Sequence, residues 1–166
     1  MKKGLLTIMI AALTILSTEA QNKFGYLDSN ELLASMPERA AILTELEDVR
    51  KNFESRLLDM RSEYERKAIE YQQNETTFSD LVKEDKIREI QSIEKRIVDF
   101  EQNAQQLFAQ KQSELFTPIT DKIYFAVNEI AKDGKYTYIF DSGTGLLLYK
   151  DESENIMEKV KAKLGM

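Results

Sequence analysis

Two proline-containing helix starts flank one long run of helical periodicity. The first is the segment 35–38 (SMPE), a capping-box pattern with Pro37 in the first turn. The second is Thr117 followed by Pro118, an N-cap residue with proline at the first helical position. The midpoint between the prolines falls in the segment 74–80 (NETTFSD), the most turn-like stretch of the run. We therefore predict an antiparallel helical hairpin with two matched arms and its tip at 74–80.

Both arms carry an apolar stripe with coiled-coil spacing. The stripe of the first arm is apolar near the prolines but includes Lys67 and Asn74 toward the tip, which weakens it there. Charged residues and glutamine lie between the stripes, as on a solvated helix face, so we expect the arms to pair with each other. The predicted seam comprises Leu43, Leu46, Arg50, Phe53, Leu57, Met60, Tyr64, Lys67, Tyr71, Asn74 and Phe78 in the first arm and Ile90, Ile93, Ile97, Phe100, Ala104, Leu107 and Lys111 in the second.

The segments outside the hairpin predict a small body of strands and short helices, which makes the fold class α+β. Alternating and β-branched or aromatic residues indicate strands, and Asp133-Gly134 is typical of a helix end. In chain order we expect a strand at 23–28, a short helix starting at Asp28, a helix from Thr117 to Gly134, a β-hairpin of strands 136–141 and 145–150 joined by 142–144, and a last helix at 154–164.

Three short strands cannot bury an independent core, and the segment 146–149 (LLLY) would be a hazardous exposed edge in a single chain. We therefore expect several copies to pool their strands into one β-rich body, as an obligate oligomer. The candidate interface residues are Phe24, Tyr26, Ile139, Leu146 and Leu148.

The N-terminus reads as a cleavable secretory signal. Lys2 and Lys3 precede an apolar stretch at 5–16 that is too short to span a bilayer, and Ala20 ends a cleavage pattern. The chain has no cysteine, so neither a disulfide nor a lipid anchor on cysteine is expected, and a bacterial periplasm is favoured over eukaryotic secretion. The predicted domains are a signal peptide at 1–20, a β-rich oligomerisation body from 21–36 and 117–166, and the helical hairpin at 37–116.

Composition argues against catalysis. The chain has no histidine and no cysteine, so it lacks the commonest general base, metal ligands and thiol nucleophile, and we expect no enzyme activity, no cofactor and no metal. Without the predicted signal the mature chain keeps 21 basic and 28 acidic residues, a net charge of about −7. This charge argues against nucleic acid as a partner and against more than peripheral contact with an anionic membrane.

The layout and three stretches resemble the Skp/OmpH family of periplasmic chaperones. The stretches are 24–38 (FGYLDSNELLASMPE), 115–151 (LFTPITDKIYFAVNEIAKDGKYTYIFDSGTGLLLYKD) and 155–164 (NIMEKVKAKL). The resemblance implies a jellyfish-like homotrimer with a β-rich body and three helical-hairpin tentacles. It also implies an ATP-independent holdase that encloses unfolded outer-membrane β-barrel proteins and prevents their aggregation. The chain departs from the basic members of the family because its arm mixes cations with Glu84, Asp85, Glu89 and Glu94, so the lipopolysaccharide site of the family is not transferred.

Within this reading, aromatic and methionine side chains near the weakened seam are the candidates for client contact: Met60, Tyr64, Tyr71 and Phe78. Packing between the arms is the competing interpretation of the same residues. Pro37 and Pro118 are the candidate hinges that let the arms splay. The alternative function is a periplasmic adaptor whose hairpin acts as a rigid spacer docking one folded envelope partner. An interrupted seam and a polar tip favour the chaperone.

Overall fold

The computed structural model describes residues 22–166, and the predicted signal peptide lies outside them. The fold is mostly helical with one pair of short strands. The elements, in chain order, are β1 (Phe24–Leu27), α1 (Ser29–Ser35), α2 (Glu38–Asn74), a 3₁₀ turn (Glu75–Thr77), α3 (Asp80–Gly134), β2 (Tyr138–Asp141), two further 3₁₀ turns (Ser142–Thr144 and Glu152–Glu154) and α4 (Met157–Lys163). The chain divides into two compact units, residues 22–32 with Ile123–Met166, and Leu33–Lys122.

The first unit is organised around a two-stranded parallel sheet. Phe24 lies opposite Tyr138, and the register continues to Leu27 opposite Asp141. Parallel strands require a long crossover, and here the crossover contains all of α1, α2 and α3. The β-forming residues of both strands explain why these short segments are extended.

The core of this unit forms where α4 packs near β1. Leu32, Ile156 and Val160 are completely buried, and the backbone N–H of Ile156 donates to the carbonyl of Tyr26 at 2.9 Å. Gly25 permits this approach, because a Cβ there would lie 3.2 Å from Cγ2 of Ile156 and 3.0 Å from the ring of Tyr136. The predicted last helix is therefore confirmed in its C-terminal part, from Met157 onward, while Glu152–Glu154 forms a 3₁₀ turn.

The second unit is the predicted antiparallel hairpin. Its first arm is α2, and its second arm is the part of α3 up to Lys122. The chain reverses at Glu75–Thr77, where the hydroxyl of Thr77 donates to the carbonyl of Asn74 at 2.7 Å. This reversal lies within the segment 74–80, where short polar side chains that bond to the local backbone compete with helix continuation.

The predicted helix start at Asp28 is confirmed, whereas the one at 35–38 is only partly right. Asp28 Oδ1 accepts from the backbone N–H groups of Asn30 and Glu31, which caps α1. Ser35 is the last residue of α1 and not the N-cap of the next helix, and Pro37 itself occupies the N-cap position of α2. The break between the helices falls before Pro37, as the steric restriction on a pre-proline residue predicts.

The predicted helix start at Thr117-Pro118 is wrong. Helix α3 runs without a break from Asp80 to Gly134, with Pro118 in its interior. The hydroxyl of Thr117 donates to the carbonyl of Ser113 at 2.6 Å, so this side chain bonds back into the preceding turn and does not cap a following one. Proline requires a helical φ and removes only one donor, which a long packed helix tolerates.

The predicted β-hairpin is also wrong, because only its first strand forms. Residues 145–150 are not a strand, and the chain leaves β2 through the 3₁₀ turn Ser142–Thr144 and Gly145, which has φ 73°. Asp141 redirects the chain by accepting the backbone N–H of Gly143 at 2.9 Å. Strand β2 pairs with β1 instead, and the segment 145–150 joins no sheet within the described chain.

The predicted seam is confirmed at most positions and shifted by one residue near the root of the hairpin, the end that carries Pro37 and Pro118. Ile42 is 8% exposed whereas the predicted Leu43 is 42% exposed, and Arg50 is exposed while Val49 is half-buried. In the second arm Leu107 is exposed and Phe108 is half-buried. A strict seven-residue repeat drifts relative to the 3.6-residue turn, so the buried stripe departs from it over several turns.

Candidate functional site

The seam between the two arms of the hairpin contains both apolar and charged side chains, and an open groove lies beside it. Phe53 and Phe100 meet edge to face, with ring centroids 6.1 Å apart and planes at 85°. A groove of about 450 Å³ runs along this contact. Its apolar floor and polar walls are formed by Arg50, Phe53, Glu54, Leu57, Phe100, Glu101, Ala104 and Gln105.

Six ion pairs join the two arms within residues 33–122, and most lie on one side of the seam. Glu45, Glu63 and Glu70 follow each other on α2 at spacings of whole turns, so they share one side of that helix. Their partners on α3 are Lys111, Arg96 and Lys86, and Lys67 with Glu89 adds a fourth pair beside them. We call this side the ladder face. Glu38 with Lys122 forms a further pair at the root.

The opposite side, which we call the groove face, contains the remaining inter-arm pair, Arg61 with Glu101 at 2.7 Å. Arg61 follows the buried Met60 by one residue and Glu63 follows it by three, so their side chains leave α2 on opposite sides of the seam. The groove lies on the side of Glu101, one of its lining residues. Ion pairs therefore connect the two arms along much of the ladder face, whereas on the groove face the aromatic floor is accessible.

Exposed aliphatic side chains continue the groove face along α3. Val98 is 47% exposed and precedes Glu101 by about one turn, and Ile87 lies three turns before Val98 on nearly the same line. Glu94 lies between them, exposed and without an ion-pair partner among the described residues. Sequence reasoning missed these residues because they lie outside the heptad seam. Their spacing is nevertheless visible in the sequence, since Val98 lies eleven residues after Ile87, four after Glu94 and three before Glu101.

The four candidate contact residues occupy different environments. Met60 is buried in the seam, and Tyr64 is half-buried. Tyr71 and Phe78 lie together at the tip with ring centroids 6.4 Å apart. Burial raises the pKa of the Tyr71 hydroxyl, and so does the nearby carboxylate of Glu75, which accepts its hydrogen bond at 3.4 Å. The structure thus brings two of the four together.

The first unit carries an exposed aromatic cluster on its sheet. The ring of Phe24 lies 6.0 Å from that of Tyr138 and 6.2 Å from that of Phe140, and the last two rings are also 6.2 Å apart. Each of these three side chains is more than two fifths exposed. Contiguous exposed aromatic side chains on a small sheet are typical of a surface that another protein covers.

The predicted interface residues are distributed over this unit. Phe24 belongs to the aromatic cluster, Tyr26 is buried within the chain, and Ile139 is half-buried. Leu146 and Leu148 are exposed, Leu148 completely. Sequence reasoning missed Tyr138 and Phe140, which alternate with Ile139 along β2, and it missed the exposed Tyr149; the alternation in 136–141 was the available signal.

Burial raises the pKa of the Tyr26 hydroxyl, as do the carboxylates of Glu152 and Asp151. The hydroxyl oxygen itself is buried, and it has no hydrogen-bond partner among residues 22–166. Within residues 22–166, acidic side chains do not gather in groups of three or more that would hold a metal ion. Nor is any helix of these residues long and apolar enough to cross a membrane.

Comparisons with known proteins agree on one family. The family of OmpH-like outer membrane proteins matches the sequence over residues 23–164. A solved structure assigned as an OmpH-like outer membrane chaperone from Caulobacter crescentus CB15 superposes with a TM-score of 0.73 at 14% sequence identity. The match covers 87% of this chain and 85% of that one. No curated protein sequence matches this chain.

Proposed function

The chain belongs to the OmpH-like family, and on that premise we propose that it is an ATP-independent periplasmic chaperone that holds unfolded outer-membrane β-barrel proteins and prevents their aggregation. The observation that carries the proposal is the surface of the hairpin. It exposes separate aliphatic side chains, among them Ile87 and Val98, beside a shallow aromatic groove. Shallow, scattered apolar contacts suit a protein that binds many sequences weakly and releases them without an energy source.

We further propose that the working form is a homo-oligomer, a trimer by analogy with the resemblance stated above. The aromatic cluster of Phe24, Tyr138 and Phe140 and the exposed Leu146 and Leu148 support this, because a monomer would leave this apolar surface in water. Pooling these segments between copies would form the body, and the hairpins of the copies would enclose the client. A caged client cannot meet a second unfolded chain, which is the physical basis of protection.

In this proposal the arms change their separation to fit clients of different size, with Pro37 and Pro118 as hinges. Pro118 supports the role because it removes one backbone hydrogen bond from the interior of α3. The splaying is tested with cysteine pairs that cross-link the tips of neighbouring copies at residues 75–77. We expect the cross-linked oligomer to lose protection of large clients and to regain it after reduction; unchanged protection would refute splaying.

The proposed function is tested by native mass spectrometry of the mature chain, alone and after a urea-unfolded outer-membrane barrel protein is diluted into it. We expect one oligomer that takes up a client and keeps it soluble, seen as a new mass and as suppressed light scattering. A folded soluble protein serves as the control and should not bind. A stable oligomer that ignores the unfolded barrel would contradict the chaperone and support the alternative, an adaptor that docks a folded partner.

A further inference from the structure

The two faces of the hairpin differ in what they offer an unfolded chain. On the ladder face the seam is crossed by the pairs of Glu45, Glu63, Glu70 and Glu89 with lysine or arginine. A client side chain that reached the seam there would have to displace charged groups that are already paired. On the groove face the floor residues Phe53, Leu57, Phe100 and Ala104 remain accessible.

We propose, on the basis of the proposed function, that client segments bind along the groove face, and that the preferred segments combine apolar side chains with lysine or arginine. The apolar part of this recognition follows from the groove and from Val98 and Ile87, which extend it along α3. These side chains lie about 16 Å apart along the helix, so a client touches them as separate contacts.

The preference for cationic segments follows from the charges that border the groove. Arg50 is held by Glu47 and Glu54, and Arg61 is held by Glu101, so both guanidinium groups already have carboxylate partners. Glu94 has no ion-pair partner within residues 22–166. Lys51 also lies 3.9 Å from Glu47, so four carboxylates face three cations here, and the whole chain carries a formal charge of −6. A client lysine or arginine is attracted here and a client carboxylate is repelled.

The length of the groove sets the size of the recognised segment. From Arg50 to Leu57 the groove extends by about 10 Å along α2, which corresponds to about three residues of extended chain. A site this short contacts one or two apolar side chains and one neighbouring cation. Each contact is weak, so one client occupies several such sites on different hairpins, and its affinity arises from their number.

The test uses two fluorescent ten-residue peptides of equal apolar content, one with lysine and one with glutamate at the charged positions. We expect the full mature protein to bind the lysine peptide about fivefold more tightly at low salt, with the preference reduced at high salt because screening weakens exposed charge interactions. Fluorescence anisotropy measures both affinities. Equal binding of the two peptides at low salt would overturn the charge preference.

The face is tested with a matched pair of substitutions, Glu94→Lys and Asp59→Lys. Both positions are exposed and without ion-pair partners in the described chain, and both substitutions change the charge equally. Glu94 lies on the groove face, whereas Asp59 lies one turn before Glu63 on the ladder face. We expect Glu94→Lys to abolish the preference for the lysine peptide and Asp59→Lys to leave most of it. Equal effects of the two substitutions would mean that the preference arises from the net charge of the protein and not from this face.

A second matched pair tests the apolar contact. Val98→Ser should weaken the binding of both peptides about threefold, as expected for the loss of part of one buried aliphatic side chain. Leu107→Ser should leave both binding affinities unchanged. Leu107 is 52% exposed and lies three turns after Arg96, in line with the ladder face. Suppression of barrel-protein aggregation is measured in the same buffers. If the wild-type protein suppresses aggregation but the two variants of each pair behave alike, only the assignment of the groove face is refuted. If the wild-type protein neither suppresses aggregation nor binds either peptide, the proposed function is refuted as well.

Discussion

The hydroxyl of Ser29 donates a hydrogen bond of 2.6 Å to Oδ2 of Asp141, joining the start of α1 to the end of β2. Oδ1 of the same carboxylate accepts the backbone N–H groups of Ser29 at 3.1 Å and Gly143 at 2.9 Å. One side chain thus closes the parallel strand pair and begins the turn that carries the chain away from β2.

The first prediction concerns the pH dependence of this contact. Partial burial acts to raise the pKa of Asp141, but the hydrogen bonds from Ser29 and Gly143 outweigh it and the pKa is lowered. The resulting stabilisation is complete above the pKa of the unfolded chain and is lost as the pH falls through the lower pKa of the folded chain. Asp141→Asn should therefore lower the free energy of unfolding by about 1 kcal/mol at pH 7 and by much less at pH 2.

Urea unfolding of the wild-type protein and the variant at both pH values measures this difference, at one protein concentration because an oligomer's stability depends on it. Asp133→Asn is the control, because Asp133 is exposed in the same unit. A cost that does not change between pH 7 and pH 2 would show that the carboxylate's ionisation is not the source of the stabilisation.

The second prediction concerns the aromatic contact across the arms. Phe100→Ala should lower the free energy of unfolding by about 2 to 3 kcal/mol, because it removes a half-buried ring and its edge-to-face contact with Phe53. Leu58→Ala, at an exposed position of α2, should change it little. Chemical denaturation followed by circular dichroism measures both, and similar small losses would mean that the arms are not held together at Phe53.

The third prediction concerns the charged interruption of the seam. Lys67 has a side chain that is 20% exposed and pairs with Glu89 at 2.7 Å. Lys67→Leu should raise the free energy of unfolding by about 1 kcal/mol, because a buried apolar side chain contributes more than a surface ion pair. Lys95→Leu, at an exposed position of α3, should produce no gain. A loss of stability in Lys67→Leu would show that this pair is needed for the register of the arms.

The fourth prediction concerns the proline inside α3. Pro118→Ala should raise the free energy of unfolding by about 2 kcal/mol, because alanine restores the missing backbone donor and removes the clash with the preceding turn. Pro37→Ala should have little effect, since Pro37 lies at the N-cap of α2 with φ −62°. Thermal and urea unfolding of both variants measure this. No gain from Pro118→Ala would mean that the hydroxyl bonds of Thr117 and Thr120 already relieve the strain.

The fifth prediction concerns the exposed apolar segment after β2. Leu148→Asp should dissociate the proposed oligomer without affecting the fold of the single chain, because the side chain is completely exposed within that chain. Light scattering after size exclusion measures the mass, and circular dichroism measures the helix content. Leu58→Asp, on the hairpin, is the control and should keep the oligomer. An unchanged mass for Leu148→Asp would exclude this segment from the interface.

Local signals account for the parts of the fold that sequence reasoning predicted. The hairpin tip at 74–80, the capping role of Asp28 and the helix end at Gly134 all depend on residues adjacent in the chain. The same kind of signal failed at Thr117-Pro118. A favourable N-cap pattern there is overridden because a long helix packed along its length gains more from continuing than from ending.

The candidate site was predictable only in outline. Heptad spacing identified the seam and placed Phe53 and Phe100 in it, but the contact between the two rings is known only from the structure. It did not identify the groove face, because the difference between the faces arises from which glutamates of α2 reach which cations of α3. That pairing depends on the axial register of the two arms, which heptad spacing within each arm leaves open.

The amino-acid sequence by itself determined the helical hairpin, its tip and its apolar seam, because periodicity, turn residues and caps act over a few neighbouring residues. Only the tertiary structure decided that β2 pairs in parallel with β1 and that 145–150 stays unpaired. It also decided that only one of the six inter-arm ion pairs crosses the groove face, so that the groove there is accessible. The physical reason is that strand partners and cross-arm charge pairs are contacts between distant residues, chosen by competition among alternatives that have similar local propensities.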